Sequence, residues 1–563
     1  MIGAEKAGGY ISELEFNTGE KVQINRNDIV VFVGPNNAGK SQSLKDIYTL
    51  TGKKLPSVVI SDVKINKSNL PFQSLLDTIS VGKKQGRYTT YNFMGHNINY
   101  WDTTAQNFPN EPCLGDFRDL FVANLHTEAR LSICKAASSI ARNADKQHPI
   151  HYAAFEPRYR KWLASNFKKA FGTEVIPNTQ FGNQIPLCIG EPVKLEGDFE
   201  DEQARQEAYA AILSEYKQVQ NQGDGIKSFT GILLYLMLDY FCTYLIDEPE
   251  SFLHPPQARI MGQIIGETLG DQQQAFISTH SEDIIKGLLD ASPERIKIIR
   301  ITRTGDTNAF SLLENQKFQE IWSDPLLKYS NIMTSLFHQT VVLCESDSDC
   351  KMYSIIENHI KQRQGKYSET LFIHCGGKHR MAKIAKALRS LNINIRLFPD
   401  IDVLNDEAIF KGIVEAFGVD WTSVSADYKI IVSNLHSAKE SVIRSVAKSE
   451  ITRILDGSTN KNLSGGEINE IRNVISTESK WKTLKTSGFR SLPAGDATAA
   501  YGRLNSVLCG AGIYIVPVGE LECFIKAVGG HGPEWVNAVL ETYPDLNDAI
   551  YSDIHDFIAR MDL

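Results

Sequence analysis

Apolar and polar residues alternate at the start of the chain and then give way to short apolar blocks. The stretches GYISELEF and KVQINRNDIVVFV, within residues 9–33, show the alternation and the apolar run that are typical of strands. Further strands are predicted at FCTYLID and QQQAFIST, and each of them is followed by a polar turn and a helix. This alternation of strands and helices predicts an α/β core.

A helical pattern interrupts this first series from about residue 121 to 220, as in DEQARQEAYAAILSEYKQVQ. A second series follows, with strands predicted at QTVVLCE, ETLFIHC, NIRLFPDID and GIYIVPV. Residues 405–495 are mostly polar and helical and interrupt this second series. The pattern therefore predicts two α/β domains, residues 1–335 and 336–563, each with a helical insertion.

The composition excludes a strongly basic protein. At 563 residues the chain is long enough for two or three domains. Its net charge of −8 excludes a basic field over the whole surface, so nucleic-acid binding needs local patches or metal-bridged phosphates. Nine scattered cysteines without a CxxC pair argue against a disulfide framework or a zinc site. Without a recognisable signal peptide or membrane span, we expect a cytoplasmic protein with no membrane partner.

The segment GPNNAGKS, residues 34–41, matches the phosphate-loop pattern GxxxxGKS between a predicted strand and a predicted helix. Glycines let the backbone approach a phosphate closely, so that successive N–H groups point at it. The lysine of such a loop reaches the β- and γ-phosphates, and the serine hydroxyl binds Mg²⁺. The candidate nucleotide-binding residues are Gly34, Asn36, Asn37, Gly39, Lys40 and Ser41. The alternative is a turn that only resembles the motif.

Two adjacent acids, Asp247 and Glu248, follow the apolar residues of TYLIDEPESFLHP and therefore end a buried strand. Asp247 is predicted to hold Mg²⁺ through water, and Glu248 to polarise the attacking water. A solvated turn is the alternative, which the phosphate loop upstream disfavours.

His280, in AFISTHSED, follows the next apolar strand, at the place where ABC-type ATPases keep a histidine that senses the γ-phosphate. With the motifs above, residues 1 to about 320 resemble the ABC-type P-loop ATPase domain of the SMC/RecF branch. The resemblance implies ATP as the nucleotide and catalytic roles for Glu248 and His280. It also places a signature loop at QGDGIKSFTGILLYLM, where Gly223 and Gly225 would contact nucleotide, although this is not a standard LSGGQ loop. Because a signature loop acts on the partner's nucleotide, a homodimer or higher homo-oligomer is implied.

A closer match to that loop, LSGGE at residues 463–467, stands far behind Asp247 and Glu248, whereas a signature loop precedes these acids. Chain order therefore argues against a nucleotide contact. Ser464 is predicted instead to cap the helix EINEIRNVI.

A second group of acids follows the strands of the second series. Glu345 ends one strand and is followed by Asp349, and Asp400 and Asp402 end another. Residues two apart on an extended segment face the same way, so Asp400 and Asp402 can share one ion. Carboxylates with no nearby His/Cys pattern suit Mg²⁺ or Mn²⁺. The alternative is a set of strand-end acids in an unrelated flavodoxin-like domain.

This order of acids resembles the Toprim domain, which implies that Glu345 is a base or metal ligand and that Asp349, Asp400 and Asp402 are further acids of the metal site. An ABC-type ATPase followed by a Toprim domain is similar to the OLD (overcoming lysogenisation defect) nucleases, whose relatives occur in prokaryotic anti-phage systems of the Gabija type and with some retrons. The stretch from LPAGDATAAYGRL to ELECFI also resembles the end of an OLD-type Toprim domain and adds Glu520 and Glu522 as metal ligands.

The sequence departs from the OLD pattern in two respects. Ser346 stands where a glycine is usual after the first acid. OLD nucleases also carry a lysine shortly after the last strand, where this chain offers Lys526 slightly early and His531 at about the expected place. Which of the two takes that role is left open by the sequence.

Two basic segments are candidates for DNA binding, since cations track phosphates while aromatic residues stack on bases. A solvated helix face is the alternative for both. The candidate contacts are Lys378, Arg380 and Lys383 in the first segment and Lys480, Lys482 and Lys485 in the second.

The resemblance to the OLD nucleases implies an ATP-hydrolysing, Mg²⁺-dependent DNA endonuclease of anti-phage defence, in which the ATPase regulates the Toprim site. The resemblance implies a prokaryotic cytoplasm, DNA as a partner, and a defence partner that is a protein or a retron RNA or DNA. The alternative is a RecF-like DNA-binding ATPase with a non-catalytic Toprim scaffold.

Overall fold

The computed structural model divides the chain into two compact units, Met1–Asp324 and Pro325–Leu563. It describes residues 8–68, 76, 82–94, 96–101, 107–195, 199–305, 307–313, 323–324, 332–436, 443–458, 460, 462–475 and 480–561. The boundary predicted near residue 335 falls inside the second unit, which begins at Pro325. Within the described ranges, no helix combines the length and the apolar character that a membrane span requires.

The first unit is mixed α/β. Its strands are β1 (Gly9–Phe16), β2 (Lys21–Gln23), β3 (Ile29–Val33), β4 (Ile60–Lys67), β5 (Lys83–Gln85), β6 (Tyr88–Phe93), β7 (His96–Trp101), β8 (Val122–Leu125), β9 (Ala137–Ser138), β10 (Glu174–Pro177), β11 (Gln184–Ile185), β12 (Leu187–Gly190), β13 (Lys217–Gln218), β14 (Thr243–Asp247), β15 (Gln274–Ser278), β16 (Ile296–Thr304) and β17 (Thr307–Leu313). Its helices are α1 (Lys40–Gly52), α2 (Arg118–Phe121), α3 (Thr127–Ser132), α4 (Pro149–Phe155), α5 (Pro157–Phe171), α6 (Glu202–Glu215), α7 (Asp224–Leu236), α8 (Pro255–Thr268) and α9 (Glu282–Ala291).

A six-stranded sheet in the order β17-β16-β3-β15-β14-β8 forms the core of this unit. Strand β3, IVVFV, is buried along its whole length, as expected for a central parallel strand covered on both faces. In register, Val31 lies opposite Ile277 of β15 and Ile298 of β16. Strands β14 and β15 are also parallel. The loops that follow β3, β14 and β15 therefore meet at one edge of the sheet.

The helical insertion predicted from residue 121 begins too early. Val122–Leu125 form β8, which pairs in parallel with β14 and is an edge strand of the main sheet. The segment up to residue 220 then contains four helices, α3 to α6, and also the short strands β9 to β13. Four residues, here VANL, are too few to show whether their period is that of a strand or of a helix, and the prediction was wrong at this point for that reason.

The second unit has a parallel three-stranded sheet in the order β19-β18-β20. Its strands are β18 (Thr340–Cys344), β19 (Thr370–His374) and β20 (Asn394–Phe398). Its helices are α10 (Asp347–Arg363), α11 (Lys378–Ser390), α12 (Glu407–Ala416), α13 (Trp421–His436), α14 (Arg444–Asp456), α15 (Gly465–Ile475), α16 (Lys480–Ser487), α17 (Asp496–Ala511), α18 (Gly532–Thr542) and α19 (Ser552–Ala559). Tyr353, Phe398, Trp535 and Phe557 pack in one apolar core of this unit.

The fourth strand predicted at GIYIVPV is not a regular strand. This segment runs beside β20, where Leu397 N–H donates to the Gly512 carbonyl at 2.9 Å and Tyr514 N–H donates to the Leu397 carbonyl at 2.8 Å. Val516 N–H then bonds to the carbonyl of Pro399. Pro399 and Pro517 have no N–H to donate, so the ladder does not continue. The segment therefore lies next to β20 but does not form the regular strand that the sequence predicts.

The LSGGE segment begins a helix within the second unit. Ser464 Oγ accepts a hydrogen bond from Glu467 N–H at 3.2 Å, and Ser464 N–H donates to the Glu467 carboxylate at 2.6 Å. These reciprocal bonds are a capping box, so Ser464 is the cap that the sequence predicts.

Candidate nucleotide and metal sites

The loop predicted to hold phosphate connects β3 to α1, as the sequence pattern indicates. Gly34 has a φ of 142° and Gly39 a φ of 103°, which are backbone conformations that favour glycine. A Cβ atom at Gly34 would lie 1.9 Å from the carbonyl oxygen of Ile301 in β16. Glycine is therefore required at position 34 both for the backbone conformation and for the close packing.

Lys40 is buried at the start of α1 and folds back over its own loop. Its ammonium group donates to the carbonyl oxygens of Gly34 at 2.8 Å and Pro35 at 2.7 Å. Burial lowers the pKa of Lys40 to about 8, although the charges of Glu248, Glu250 and Asp247 act in the opposite direction. Among the residues that the structure describes, no carboxylate forms an ion pair with this buried ammonium, which is therefore suited to receive an anion.

A cavity of about 420 Å³ lies beside this lysine. It brings the phosphate loop together with Glu248 after β14 and His280 after β15. Of the other predicted nucleotide contacts, Asn37, Gly39 and Ser41 line the cavity, whereas Asn36 is exposed outside it. The cavity thus combines an ammonium, a hydroxyl, a carboxylate and an imidazole, the set of groups that binding and hydrolysis of a nucleoside triphosphate require.

The acids predicted at the end of β14 differ in their surroundings. The carboxylate of Asp247 accepts a hydrogen bond from the Ser278 hydroxyl. Glu248 has a φ of 47° and its N–H donates to the Ser278 carbonyl at 2.9 Å. His280 Nε2 lies 3.4 Å from a carboxylate oxygen of Glu248. Burial, followed by the charge of Lys40, lowers the pKa of His280, so the neutral imidazole is favoured.

Glu250, which the sequence analysis did not select, fixes the loop that carries His280. Its carboxylate accepts hydrogen bonds from the Thr279 hydroxyl at 2.9 Å and from the His280 N–H at 2.6 Å. Burial raises the pKa of Glu250. The only sequence signal for this residue is its place in DEPE, directly behind the Asp–Glu pair.

Arg130 of α3 is a second residue that sequence reasoning missed. Its guanidinium donates to the backbone carbonyls of Asp247 at 2.7 Å and Glu248 at 3.1 Å. Burial lowers the pKa of Arg130, against the charges of the nearby acids. No local pattern indicates this contact, because Arg130 comes from a distant segment that the periodicity assigned to the insertion.

The predicted signature segment opens α7, with Gly223 at the N-cap. Neither Gly223 nor Gly225 lines the cavity beside Lys40. Gly225 instead packs against the turn after Glu248, since a Cβ atom there would lie 2.5 Å from the carbonyl oxygen of Phe252. Within one chain these glycines therefore do not reach the phosphate loop.

Three acids of the second unit meet where β18 and β20 end. These strands are neighbours, with Cys344 opposite Phe398, so Glu345 and Asp400 leave the sheet at the same edge. Asp349, in the first turn of α10, accepts a hydrogen bond from Ser346 N–H at 2.8 Å. Burial, and then the charges of neighbouring acids, raise the pKa of Asp400 and Glu345. Because these carboxylates repel one another, a cation bound between them would stabilise their ionised forms.

Two lysines reach the outer part of this cluster. Lys378 Nζ lies 3.2 Å from Asp402 Oδ1. Lys485 Nζ lies 3.8 Å from Asp402 Oδ2 and 3.2 Å from a carboxylate oxygen of Glu520. Burial would lower the pKa of Lys485, but the hydrogen bond to Glu520 and the surrounding acids raise it. Both lysines were predicted as DNA contacts, and the structure adds a direct contact with the acids.

Of the two residues considered for the position of the usual lysine, His531 contacts an acid of the cluster, whereas Lys526 bonds to a backbone carbonyl. His531 Nδ1 is 2.6 Å from a carboxylate oxygen of Glu522, which also accepts the Gly532 N–H at 2.8 Å. One ligand atom each from Glu520, Glu522 and His531 lie within 4.8 Å of one another. Lys526 instead donates to the carbonyl of Thr486 at 2.8 Å.

The donor set of this acid cluster fits a divalent metal ion. Its carboxylates are those of Glu345, Asp349, Asp400, Asp402, Glu520 and Glu522, and oxygen donors of this kind suit Mg²⁺ or Mn²⁺. The imidazole of His531 adds one nitrogen donor. Burial, and then the charges of the other acids, raise the pKa of Asp400 and Glu345, with Lys485 acting in the opposite direction on both.

The other basic candidates belong to α11 and α16. Lys383 and Lys482 are exposed, and Arg380 is half-buried beside Gly376. Lys480 begins α16, and its side chain lies outside the described part of the structure.

Comparisons with known proteins give one relative in sequence and several in structure. No protein-family model matches the chain. Old nuclease of Escherichia phage P2 is 23% identical over 267 residues, which are 46% of this chain and 43% of that protein. The chain therefore spans less than half the length of this relative.

The similar solved structures include the Smc head bound to the C-terminal winged-helix domain of ScpA, with 12% identity and a TM-score of 0.35 over 55% of this chain and 99% of that one. The SMC head domain from Thermotoga maritima has 15% identity and a TM-score of 0.28 over 55% and 99% of the two chains. Neither likeness is strong enough to define the fold more closely than mixed α/β.

Proposed function

We propose that the protein is an ATP-binding and ATP-hydrolysing, Mg²⁺-dependent DNA endonuclease of anti-phage defence, in which an ABC-type, SMC/RecF-like unit regulates a Toprim-type phosphodiesterase site. The observation that carries the proposal is the convergence of acids from three distant segments: Asp402 and Glu520 both lie beside Lys485, while Glu345 and Asp400 follow adjacent strands. The sequence similarity to Old nuclease supports it.

The proposal gives each residue of the nucleotide site a role. Lys40 neutralises the β- and γ-phosphates of ATP, and Ser41 and Asp247 hold Mg²⁺. Glu248 polarises the attacking water, and His280 contacts the γ-phosphate from beside Glu248. Gly223 and Gly225 contact the nucleotide of a second copy, which makes the active form a homodimer or a higher homo-oligomer.

In the nuclease site, Glu345, Asp349, Asp400, Asp402, Glu520 and Glu522 hold Mg²⁺ or Mn²⁺. Paired divalent ions, when bound, stabilise the attacking and leaving oxygens of a phosphodiester. Lys378 and Lys485 then orient the DNA phosphate from the rim of the cluster. Arg380, Lys383, Lys480 and Lys482 extend this basic path along the DNA backbone.

The cellular setting follows from the same proposal. The protein acts in a prokaryotic cytoplasm, and a defence partner, either a protein or a retron RNA or DNA, controls when it cuts. The ATPase unit works as a nucleotide-dependent clamp that opens or closes access to the nuclease site.

A second candidate function is a RecF-like DNA-binding ATPase whose Toprim unit is only a scaffold. It is favoured by Ser346, which stands in place of a glycine, and by Lys526, which lies away from the acids. Plasmid cleavage in Mg²⁺ by wild type, Glu345→Ala and Asp400→Ala separates the two. The nuclease proposal requires cleavage that both substitutions abolish, whereas ATP-dependent DNA binding without cleavage supports the scaffold.

A further inference from the structure

Arg130 is a fully buried guanidinium in the first unit, and it has no place in the nucleotide chemistry proposed above. It lies on α3, which follows the edge strand β8, and 0% of its surface is exposed. It does not line the cavity beside Lys40. A charge buried this completely destabilises the folded protein unless hydrogen bonds compensate for it.

Those hydrogen bonds go to the turn that carries Glu248. Arg130 Nη1 donates to the carbonyl of Asp247 at 2.7 Å and to that of Glu248 at 3.1 Å. Nη2 donates to the Thr127 hydroxyl at 3.2 Å. On the other side of the same residue, Glu248 N–H donates to the Ser278 carbonyl at 2.9 Å. Both peptide groups that flank the Glu248 side chain are therefore held in place.

The backbone of Glu248 needs this support. Its φ of 47° lies in the left-handed region, which a residue with a side chain adopts only when surrounding contacts compensate for the strain. In this conformation the Glu248 carboxylate faces the cavity that Lys40 and His280 also line. Without the hydrogen bonds from Arg130 to the Asp247 and Glu248 carbonyls, this strained backbone conformation is less stable.

The opposite side of Arg130 packs against α7. A Cβ atom at Gly231 of α7 would lie 2.2 Å from the backbone oxygen of Arg130. One turn further along the chain, Cys134 Sγ donates to the Lys227 carbonyl of α7 at 3.1 Å. Helix α3 therefore packs directly against α7 on one side and contacts the Asp247–Glu248 turn on the other.

We infer that Arg130 is a positioning residue for ATP hydrolysis, which holds the backbone of Glu248 so that its carboxylate faces the water beside the γ-phosphate. The inference rests on the proposed ATPase function. Arg130 touches neither nucleotide nor water in this role. Its loss therefore lowers the rate of hydrolysis and leaves ATP affinity unchanged.

The test compares Arg130→Lys with Arg295→Lys in the full-length protein. Arg295 is also a buried guanidinium that donates to backbone carbonyls, at 2.8 Å to Asn27 and 3.1 Å to Gly270, but it lies away from the cavity. The kcat and KM for ATP, the affinity for a fluorescent ATP analogue and Tm are measured for both. A displacement near 1 Å at a reacting group costs about 100-fold in rate, so we expect a loss approaching that in kcat for Arg130→Lys, with KM unchanged. For Arg295→Lys we expect a lower Tm and a normal kcat.

Thr127→Val provides a second variant if Arg130→Lys does not fold. It removes one acceptor of the guanidinium and leaves the contacts with Asp247 and Glu248, so kcat should fall moderately at unchanged KM. The inference is overturned if Arg130→Lys loses no more kcat than Arg295→Lys, or if KM alone rises. If Arg130→Lys does not fold, a normal kcat in Thr127→Val overturns the inference. A wild-type protein that binds ATP without hydrolysing it contradicts the proposed ATPase instead, and the role of Arg130 fails with it.

Discussion

The ammonium nitrogen of Lys485 lies 3.2 Å from a carboxylate oxygen of Glu520. The same nitrogen is 3.8 Å from Asp402. Two acids from different parts of the second unit therefore lie beside one ammonium group. The same acids would also attract a divalent metal ion.

Replacing Lys485 with methionine should strengthen binding of divalent ions. A unit charge about 4 Å from the site opposes a second cation by several kcal/mol before solvent screening, so we expect Mn²⁺ to bind about tenfold more tightly. Isothermal titration calorimetry measures this directly. Lys482→Met, which changes an exposed lysine of the same helix, should leave the affinity unchanged, and a weaker affinity in Lys485→Met would contradict the arrangement.

The imidazole of His531 should determine which metal ion binds best. Mn²⁺ accepts a nitrogen ligand more readily than Mg²⁺ does. His531→Ala is therefore expected to weaken Mn²⁺ binding by about tenfold, the lower end of the range for a lost supporting ligand, and to change Mg²⁺ binding little. His379→Ala, an exposed histidine of α11, serves as the control. Equal losses for both ions would show that His531 is not a ligand.

The crowded acids should destabilise the metal-free protein. Burial and neighbouring charges raise the pKa of Asp400, so the folded state binds more protons than the unfolded state between the ordinary and the raised pKa. Stability is then lost as pH rises through this window. Asp400→Asn should increase Tm at neutral pH in EDTA by about 2–4 °C, the effect of ~1 kcal/mol in a domain of this size. Scanning fluorimetry with and without Mg²⁺ checks this, and a decrease in Tm in EDTA would refute it.

Lys40 should make ATP binding depend on pH. Its pKa is lowered to about 8, so the ammonium is half deprotonated near that pH and ATP binding must take up a proton above it. Affinity should fall between pH 7 and pH 9, and calorimetry in buffers of different ionisation enthalpy should detect the proton. In Lys40→Met, affinity should be about 10- to 100-fold lower, since a charged hydrogen bond contributes ~1.5–3 kcal/mol. Lys45→Met, an exposed lysine of α1, should bind normally, and proton uptake in Lys40→Met equal to that in wild type would contradict this role.

The part of the site that lies in continuous motifs could be predicted from the sequence. The phosphate loop and the Asp247–Glu248 pair each follow a short apolar strand, and parallel strands bring the loops that follow them to one edge. His280 comes from the same edge for the same reason. In the second unit, Glu345 and Asp400 are close because their strands are neighbours.

Contacts between distant segments could not be predicted in this way. Arg130 donates to backbone carbonyls of residues more than one hundred positions away. Because every residue has such a carbonyl, the sequence does not indicate which of them Arg130 contacts. Lys485 was recognised as basic, but only the packing of α16 shows that it faces Glu520. The strand β8 was missed because its four residues, VANL, are too few to show a period.

The most direct measurement of the central claim is the rate of plasmid nicking in Mg²⁺ by wild type, Asp400→Asn and Asp347→Asn. Asp400 lies within the acid cluster, whereas Asp347 is exposed and pairs with Lys351 at 2.7 Å. The proposal predicts that wild type and Asp347→Asn nick the plasmid at similar rates, and that Asp400→Asn shows only the background rate found in EDTA. Equal nicking by all three proteins, or no nicking by wild type with its ATPase activity intact, would contradict it.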